Sequence, residues 1–331
     1  MSRSIRHILV AVKDPMAKSL PAVAKAAQIA AAARAELELF HSITTPIYVD
    51  GLGTGGASIA RIEREWSERC RRQLEAIAAP LRARGARVTV AVQWDWPGYE
   101  AVVRRAEHIR ADLIVAERHG GRHVAPWLLR FNDWELLRLA PAPVLIVKSR
   151  EPYRRPVVLA AIDPPHEFGK PARLDRAILL AASALSTPLN GRLHALHAYP
   201  GLTSGVIQGF DQALIASSEV SDRLQRSVTA AARVGFEREV KPLELPAARR
   251  HLVEGVAHDV IPAMARDLGA AIVVMGAISR SGLKRMLIGN TAERVLDELP
   301  CDLLIVKPAS FKSPAQHKTR GARVTVTAVP F

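Results

Sequence analysis

The chain carries one pattern twice, and that repetition narrows its architecture before any composition is counted. Ile8-Leu9-Val10-Ala11-Val12-Lys13-Asp14 is matched by Val157-Val158-Leu159-Ala160-Ala161-Ile162-Asp163, each an apolar run closed by aspartate and followed by proline. The halves also end alike, in Ala142-Pro143-Val144-Leu145-Ile146-Val147-Lys148 and Cys301-Asp302-Leu303-Leu304-Ile305-Val306-Lys307. The spans from Asp14 to Lys148 and from Asp163 to Lys307 are nearly equal, so the chain reads as two copies of one domain. Arg150 to Pro156, with its charges and prolines, suits a short linker. The expected division is 1–150, 151–309 and a basic, disordered tail over 310–331, where four basic residues and no acidic ones are mixed with proline breaks.

Within each copy, short apolar runs alternate with segments of helical period, the pattern of a parallel sheet covered by helices. The second copy is expected to place strands at Val157–Asp163, Arg192–Tyr199, Glu239–Leu245, Ala271–Met275 and Leu303–Lys307. Between them lie helices over Leu174–Leu185, Ser218–Val234, Val256–Asp267 and Thr291–Leu299. The first copy follows with strands near His7–Lys13, Glu36–His41, Arg87–Trp94, Asp112–Ala116 and Val144–Lys148. The predicted fold is α/β, two tandem five-stranded parallel sheets of Rossmann-like form. In such sheets ligands bind beyond the carboxyl ends of the strands, where strand order reverses.

One stretch at that edge can bind an anion. After the fourth strand of the second copy come Gly276, a loop with Arg280, Lys284 and Arg285, then Gly289 and a helix start at Asn290. Asn290 with Glu293 three residues on makes a capping box, and Gly289 lets another group approach the backbone. The unpaired N–H groups of such a helix start attract phosphate. The bland alternative is that Asn290 and Glu293 only cap their own helix. Asp163, closing the first strand of the same copy, offers a carboxylate to an exocyclic amine or a ribose hydroxyl.

Gly276-x2-Ser279-x9-Gly289-Asn290-Thr291, followed by AERVLDELPCDLLIVKP, together with the tandem copies and the Ala-Ile-Asp strand end, resembles the universal stress protein family in its two-domain form. The resemblance spans residues 5 to 308 and implies the family's adenine nucleotide alpha hydrolase-like fold. The family pattern is G-x2-G-x9-G-Ser/Thr, and its ATP-binding members hold adenine near the first-strand aspartate and phosphates on the glycine loop. Carried over by position, it implies Ile162, Asp163 and Ala198 around the base, Met275 and Gly276 under the ribose and phosphates, Gly289, Asn290 and Thr291 as phosphate donors, and Ser279 in the same cofactor-binding loop. Ser279 stands where the family has glycine, and Asn290 where it has serine or threonine. The implied ligand is ATP, with Mg as a possible companion. The implied role is a stress-response binding or regulatory protein; a slow ATPase using the same pocket and a ligand-independent interaction protein are the alternatives. Family members pair through their last strands, which makes Val144–Lys148 and Leu303–Lys307 candidate edges for an internal pseudo-dimer, with a homodimer also possible.

The first copy serves as a control. Aligned back from its last strand, AERHGGRHVAPWLLRFNDWELLR puts Glu117 opposite Gly276, Arg130 opposite Gly289 and Asn132 opposite Thr291. Asp133 and Glu135 would repel a triphosphate, so this copy is expected to be structural or to hold a different ligand, with Asp14 as a remnant. His41, His119 and His123 form too loose a set for a metal signature. The aromatic segment WDWPGYE, Trp94 to Glu100, reads as packing.

Composition excludes little but agrees. The net charge of +14 is spread over every predicted helix, which favours a solvated basic surface over a nucleic-acid groove. Two cysteines make no disulfide framework, which points to a cytoplasmic home. The N-terminal apolar run Ile8–Val12 is too short for a signal core, and no apolar run nears the ~20 residues that span a bilayer. No phosphate-binding GxxxxGK[ST] loop or kinase motif set is present, so at most weak ATP hydrolysis is expected.

Overall fold

The computed structural model describes residues 4–50, 56–118, 134–164, 173–199, 201, 218–277, 295, 298–315 and 318–327. Its contacts divide the chain into two units, one of Ser4–Pro152 with the residues from Lys312 onward, the other of Tyr153–Phe311. They are called here the first and second domains.

In the first domain β1 (His7–Ala11), α1 (Pro21–Ala33), β2 (Glu36–Ile43), β3 (Ile47–Asp50), α2 (Gly56–Ala83), β4 (Arg87–Trp94), α3 (Gly98–His108), β5 (Leu113–Glu117) and β6 (Val144–Val147) follow one another. The main strands lie in the order β4-β2-β1-β5-β6, and every neighbouring pair is parallel. The second domain repeats the plan with β7 (Val157–Ala161), α4 (Leu174–Ser186), β8 (Arg192–Tyr199), α5 (Ser218–Val240), β9 (Arg250–Glu254), α6 (Ala257–Asp267), β10 (Ala270–Gly276) and β11 (Asp302–Val306). Its order is β11-β10-β7-β8-β9, again parallel throughout. The central strands are nearly unbroken apolar runs because helices cover both faces of a parallel sheet. Ile8, Leu9, Val10, Ile114 and Val115 have no exposed surface, nor have Val158, Leu159, Ala160, Ile272, Val273 and Val274.

Four sequence expectations need correction. The third strand of the second domain is Arg250–Glu254, not 239–245: α5 runs on to Val240 and is followed by a 3-10 turn at Lys241–Leu243. The true strand lies at the sheet's edge, where half-exposed positions need few apolar residues. The repeat register is off by one. Val12 N donates to Phe40 O as Ile162 N donates to Leu196 O, so Val12 matches Ile162 and Lys13, not Asp14, occupies the position of Asp163. A strand inserted after β2, β3, was not foreseen. Finally, the tail expected to be disordered contains β12 (Val324–Thr327), which pairs in parallel with β3, Val324 opposite Ile47 and Thr327 opposite Asp50. Alternating β-branched residues give VTVT the propensity, and β3 supplies the partner that an isolated tail lacks.

Candidate functional site

In the second domain strand order reverses between β7, which neighbours β8, and β10, which neighbours β11. Ala160 faces Val274 across that pair, so Ile162 and Asp163 leave β7 beside Met275 and Gly276 as these end β10. Ile162 is buried and its N–H donates to Leu196 O at 2.9 Å, holding the chain end against β8. Ala198 lies two residues further along β8, opposite Val253 of β9. The structure thus brings Ile162, Asp163, Met275 and Gly276 to one edge, with Ala198 on the next strand. Ser279, Gly289, Asn290 and Thr291 lie outside the described residues.

Asp163 is fixed from its backbone. Its N–H donates to Asp175 Oδ1 at 3.0 Å, and Asp175, in the first turn of α4, is itself buried. Its carboxylate is 39% exposed, with Oδ1 3.9 Å from Nδ1 of buried His197, which also lies 3.1 Å from Ile162 O. An exposed acceptor on a fixed backbone suits an incoming amine or hydroxyl. Gly276 is small for a packing reason: a Cβ there would meet Leu174 Cδ2 at 2.8 Å and Ile178 Cδ1 at 3.1 Å. The absence of a side chain lets α4 close over the end of β10. On the far side of β8, a Cβ on Gly201 would run into the Glu254 carboxylate, and Gly255, at φ +147°, donates its N–H to Tyr199 O.

His197 and Asp175 were not singled out in the sequence. The signal existed: His41 of β2 sits where His197 sits in β8, and its Nδ1 lies 2.7 Å from Val12 O. Burial lowers the pKa of His41, while the bond to Val12 O and the charge of Asp14 oppose that shift. His258 and Asp259 at the start of α6 make no side-chain cap; their side chains lie 3.6 Å apart.

The same edge of the first domain is built differently. Lys13 stands at the Asp163 position and its ammonium donates to Glu117 O. Glu117 stands at the Gly276 position, and its Oε1 accepts the N–H of Ala22 at 3.1 Å, capping α1. Asp14, expected as the remnant carboxylate, accepts instead from Met16 N at 2.8 Å within its own turn. Charge has been exchanged at the first position and bulk added at the second.

Among the described residues no cluster of three metal-ligating side chains occurs, and no helix is long and apolar enough to cross a membrane. The family model for "Universal stress protein family" matches residues 4–148 and again 156–307. Universal stress protein E of Escherichia coli K12 is 27% identical over 241 residues, which are 70% of this chain and 72% of that protein. A solved protein of unknown function from Pseudomonas aeruginosa PAO1 superposes with a TM-score of 0.68 at 26% identity, covering 92% of this chain and 93% of its own. A universal stress protein from Archaeoglobus fulgidus shares the fold at 18% identity, with a TM-score of 0.60 and coverage of 91% and 98%.

Proposed function

The chain belongs to the universal stress protein family, with two tandem domains, and on that premise we propose that its second domain binds an adenine nucleotide such as ATP at the carboxyl edge of β7 and β10. The observation that carries the reading is the contrast at two equivalent positions: Asp163 and Gly276 in the second domain, Lys13 and Glu117 in the first. A carboxylate with one side open to solvent can accept from the adenine amine or a ribose hydroxyl, whereas an ammonium tied to a neighbouring carbonyl offers no such acceptor. Ser279, Gly289, Asn290 and Thr291 are the phosphate donors in this reading, and Mg²⁺ would accompany a triphosphate.

The protein acts in this reading as a binding or regulatory module, with the cytoplasm as its location; both cysteines are buried and neither is in a disulfide. Efficient hydrolysis would need a group that positions water and charge that stabilises the transferring phosphoryl, and no residue is assigned to either role. Freshly purified protein should release adenine nucleotide on denaturation, detected by mass spectrometry. A ligand at a hundred times its Kd stabilises by about 2.7 kcal/mol, so millimolar ATP should raise the unfolding temperature of the second domain. Asp163→Ala should remove both effects. Absence of copurified nucleotide together with no thermal shift in wild type would end the proposal.

A further inference from the structure

The C-terminal segment does more than add a strand to the first domain. At its start Thr319 Oγ1 accepts from Gln93 Nε2 at 3.2 Å, and the N–H of Arg320 donates to Asp95 Oδ1 at 3.0 Å. The Arg320 guanidinium reaches Glu100 Oε2 at 3.2 Å and lies over the ring of Trp96, 4.8 Å from its centroid, with Arg323 5.6 Å from the same ring. Arg323 O then accepts from Ile47 N at 2.7 Å and the pairing of β12 with β3 begins.

The receiving side is held by the first domain's own residues 42–104. Asp95 has no exposed surface; Arg104 meets its Oδ2 through Nε at 2.8 Å and Nη2 at 2.7 Å, and its carbonyl accepts from Ser42 Oγ. Arg104 Nη1 also holds Glu100 Oε2 at 3.0 Å. Two carboxylates share this one internal guanidinium, so the socket keeps one negative charge, which the guanidinium of Arg320 matches. Trp96 adds an aromatic face for a planar cation. Strand addition on β3 reads backbone, and the socket reads one arginine: together these are the parts of a peptide-recognition groove.

Beyond the socket the ribbon faces solvent. Tyr48 and Val324, on the paired strands, are 65% and 42% exposed, and a two-stranded ribbon is marginal by itself. We propose that the groove formed by β3, Trp96, Asp95 and Glu100 is a docking site for an extended segment of another protein that carries an arginine four residues before a β-branched run, and that residues 319–327 are its internal competitor. A tethered competitor acts at an effective concentration in the millimolar range, so an outside segment binds well only when the tail is displaced.

The test uses the full chain and a labelled peptide with the sequence of residues 318–329, KTRGARVTVTAV, followed by fluorescence anisotropy. Arg320→Glu in the protein sets the tail's anchor against Glu100. It should tighten peptide binding at least tenfold relative to wild type, with far-UV circular dichroism unchanged. Replacing the first arginine of the peptide by alanine, or adding Trp96→Leu to the protein, should weaken binding at least tenfold. Equal binding by wild type and Arg320→Glu, or indifference to the peptide's arginine, overturns the proposal. So does wild type running as a tail-exchanged dimer at the concentrations used, which makes the occupant a second copy. Hydrogen exchange on wild type gives a reading independent of the variant: amides of β12 should exchange at least tenfold faster than those of β1, and equal protection would rule out a displaceable tail.

Discussion

Lowering the pH should weaken the second domain through a histidine pair on its outer strands. His194 of β8 and His251 of β9 stack with centroids 5.2 Å apart and planes 3° from parallel, and His194 Nδ1 lies 2.9 Å from His251 Nε2. Burial, then the charges of His251, Arg249 and Arg192, pull the pKa of His194 down to about 4. Burial also lowers His251. The folded value lies below the ordinary 6.5, so the stability tied to neutral His194 is complete above about pH 6.5 and is withdrawn as pH falls toward 4. At pH 5 the linkage amounts to about 2 kcal/mol as an upper figure, reduced to about 1–2 kcal/mol by the partial exposure of His251. All five tryptophans, at 66, 94, 96, 127 and 134, belong to the first copy. Tryptophan emission therefore follows that domain, while far-UV circular dichroism follows both. Between pH 7.5 and 5 the transition silent in tryptophan emission should move to lower urea by up to about 1 M, for a slope of roughly 2 kcal/mol per M. In His194→Asn this shift should be largely gone. If the variant loses as much stability as wild type in that transition, the assignment is wrong.

Gly276→Ala should cost about 1–3 kcal/mol, because its Cβ overlaps Leu174 and Ile178; thermal unfolding of the second domain measures it. Tyr153→Phe removes the hydrogen bond from the Tyr153 hydroxyl to Asp302 Oδ2, 2.5 Å long and fully buried, and should cost about 1–3 kcal/mol in urea unfolding. Lys307, 6% exposed, has its pKa pulled down to about 7 by burial. Its folded value lies below its unfolded one, so stability rises with pH between about 7 and 10.5; Lys307→Met, followed by urea unfolding, should show a flatter dependence over that range.

The central strands were legible because a strand buried on both faces writes a run of aliphatic residues, and Arg192–Tyr199 falls where the sequence places it. Arg87–Trp94, an edge strand, was legible from the alternation in RVTVAVQW, but the edge strand of the second domain was not. Arg250–Glu254 reads RHLVE, with too few apolar residues to stand out, while EVKPLEL shows an alternation that helix α5 and a 3-10 turn absorb. At the candidate site, Asp163 and Gly276 were found from strand ends, but matching both aspartates by eye hid the one-residue offset that puts Lys13 in the equivalent place. The hydrogen bonds of Val12 and Ile162 to β2 and β8 fix that register. The β-branched run VTVT was passed over because its basic and proline-bearing surroundings argued for disorder, and its partner lies more than 270 residues earlier in the chain.

That separation bears on how the chain is made. A ribosome releases the first domain's β1 to β6 long before residues 319–327 exist, so during synthesis the first half of the protein stands with β3 unpaired and the Asp95–Glu100 socket open. Its last backbone bonds can form only after β11 has also emerged. A segment translated after the second domain thus completes the domain translated before it, and until that segment emerges the nascent protein keeps its arginine socket open.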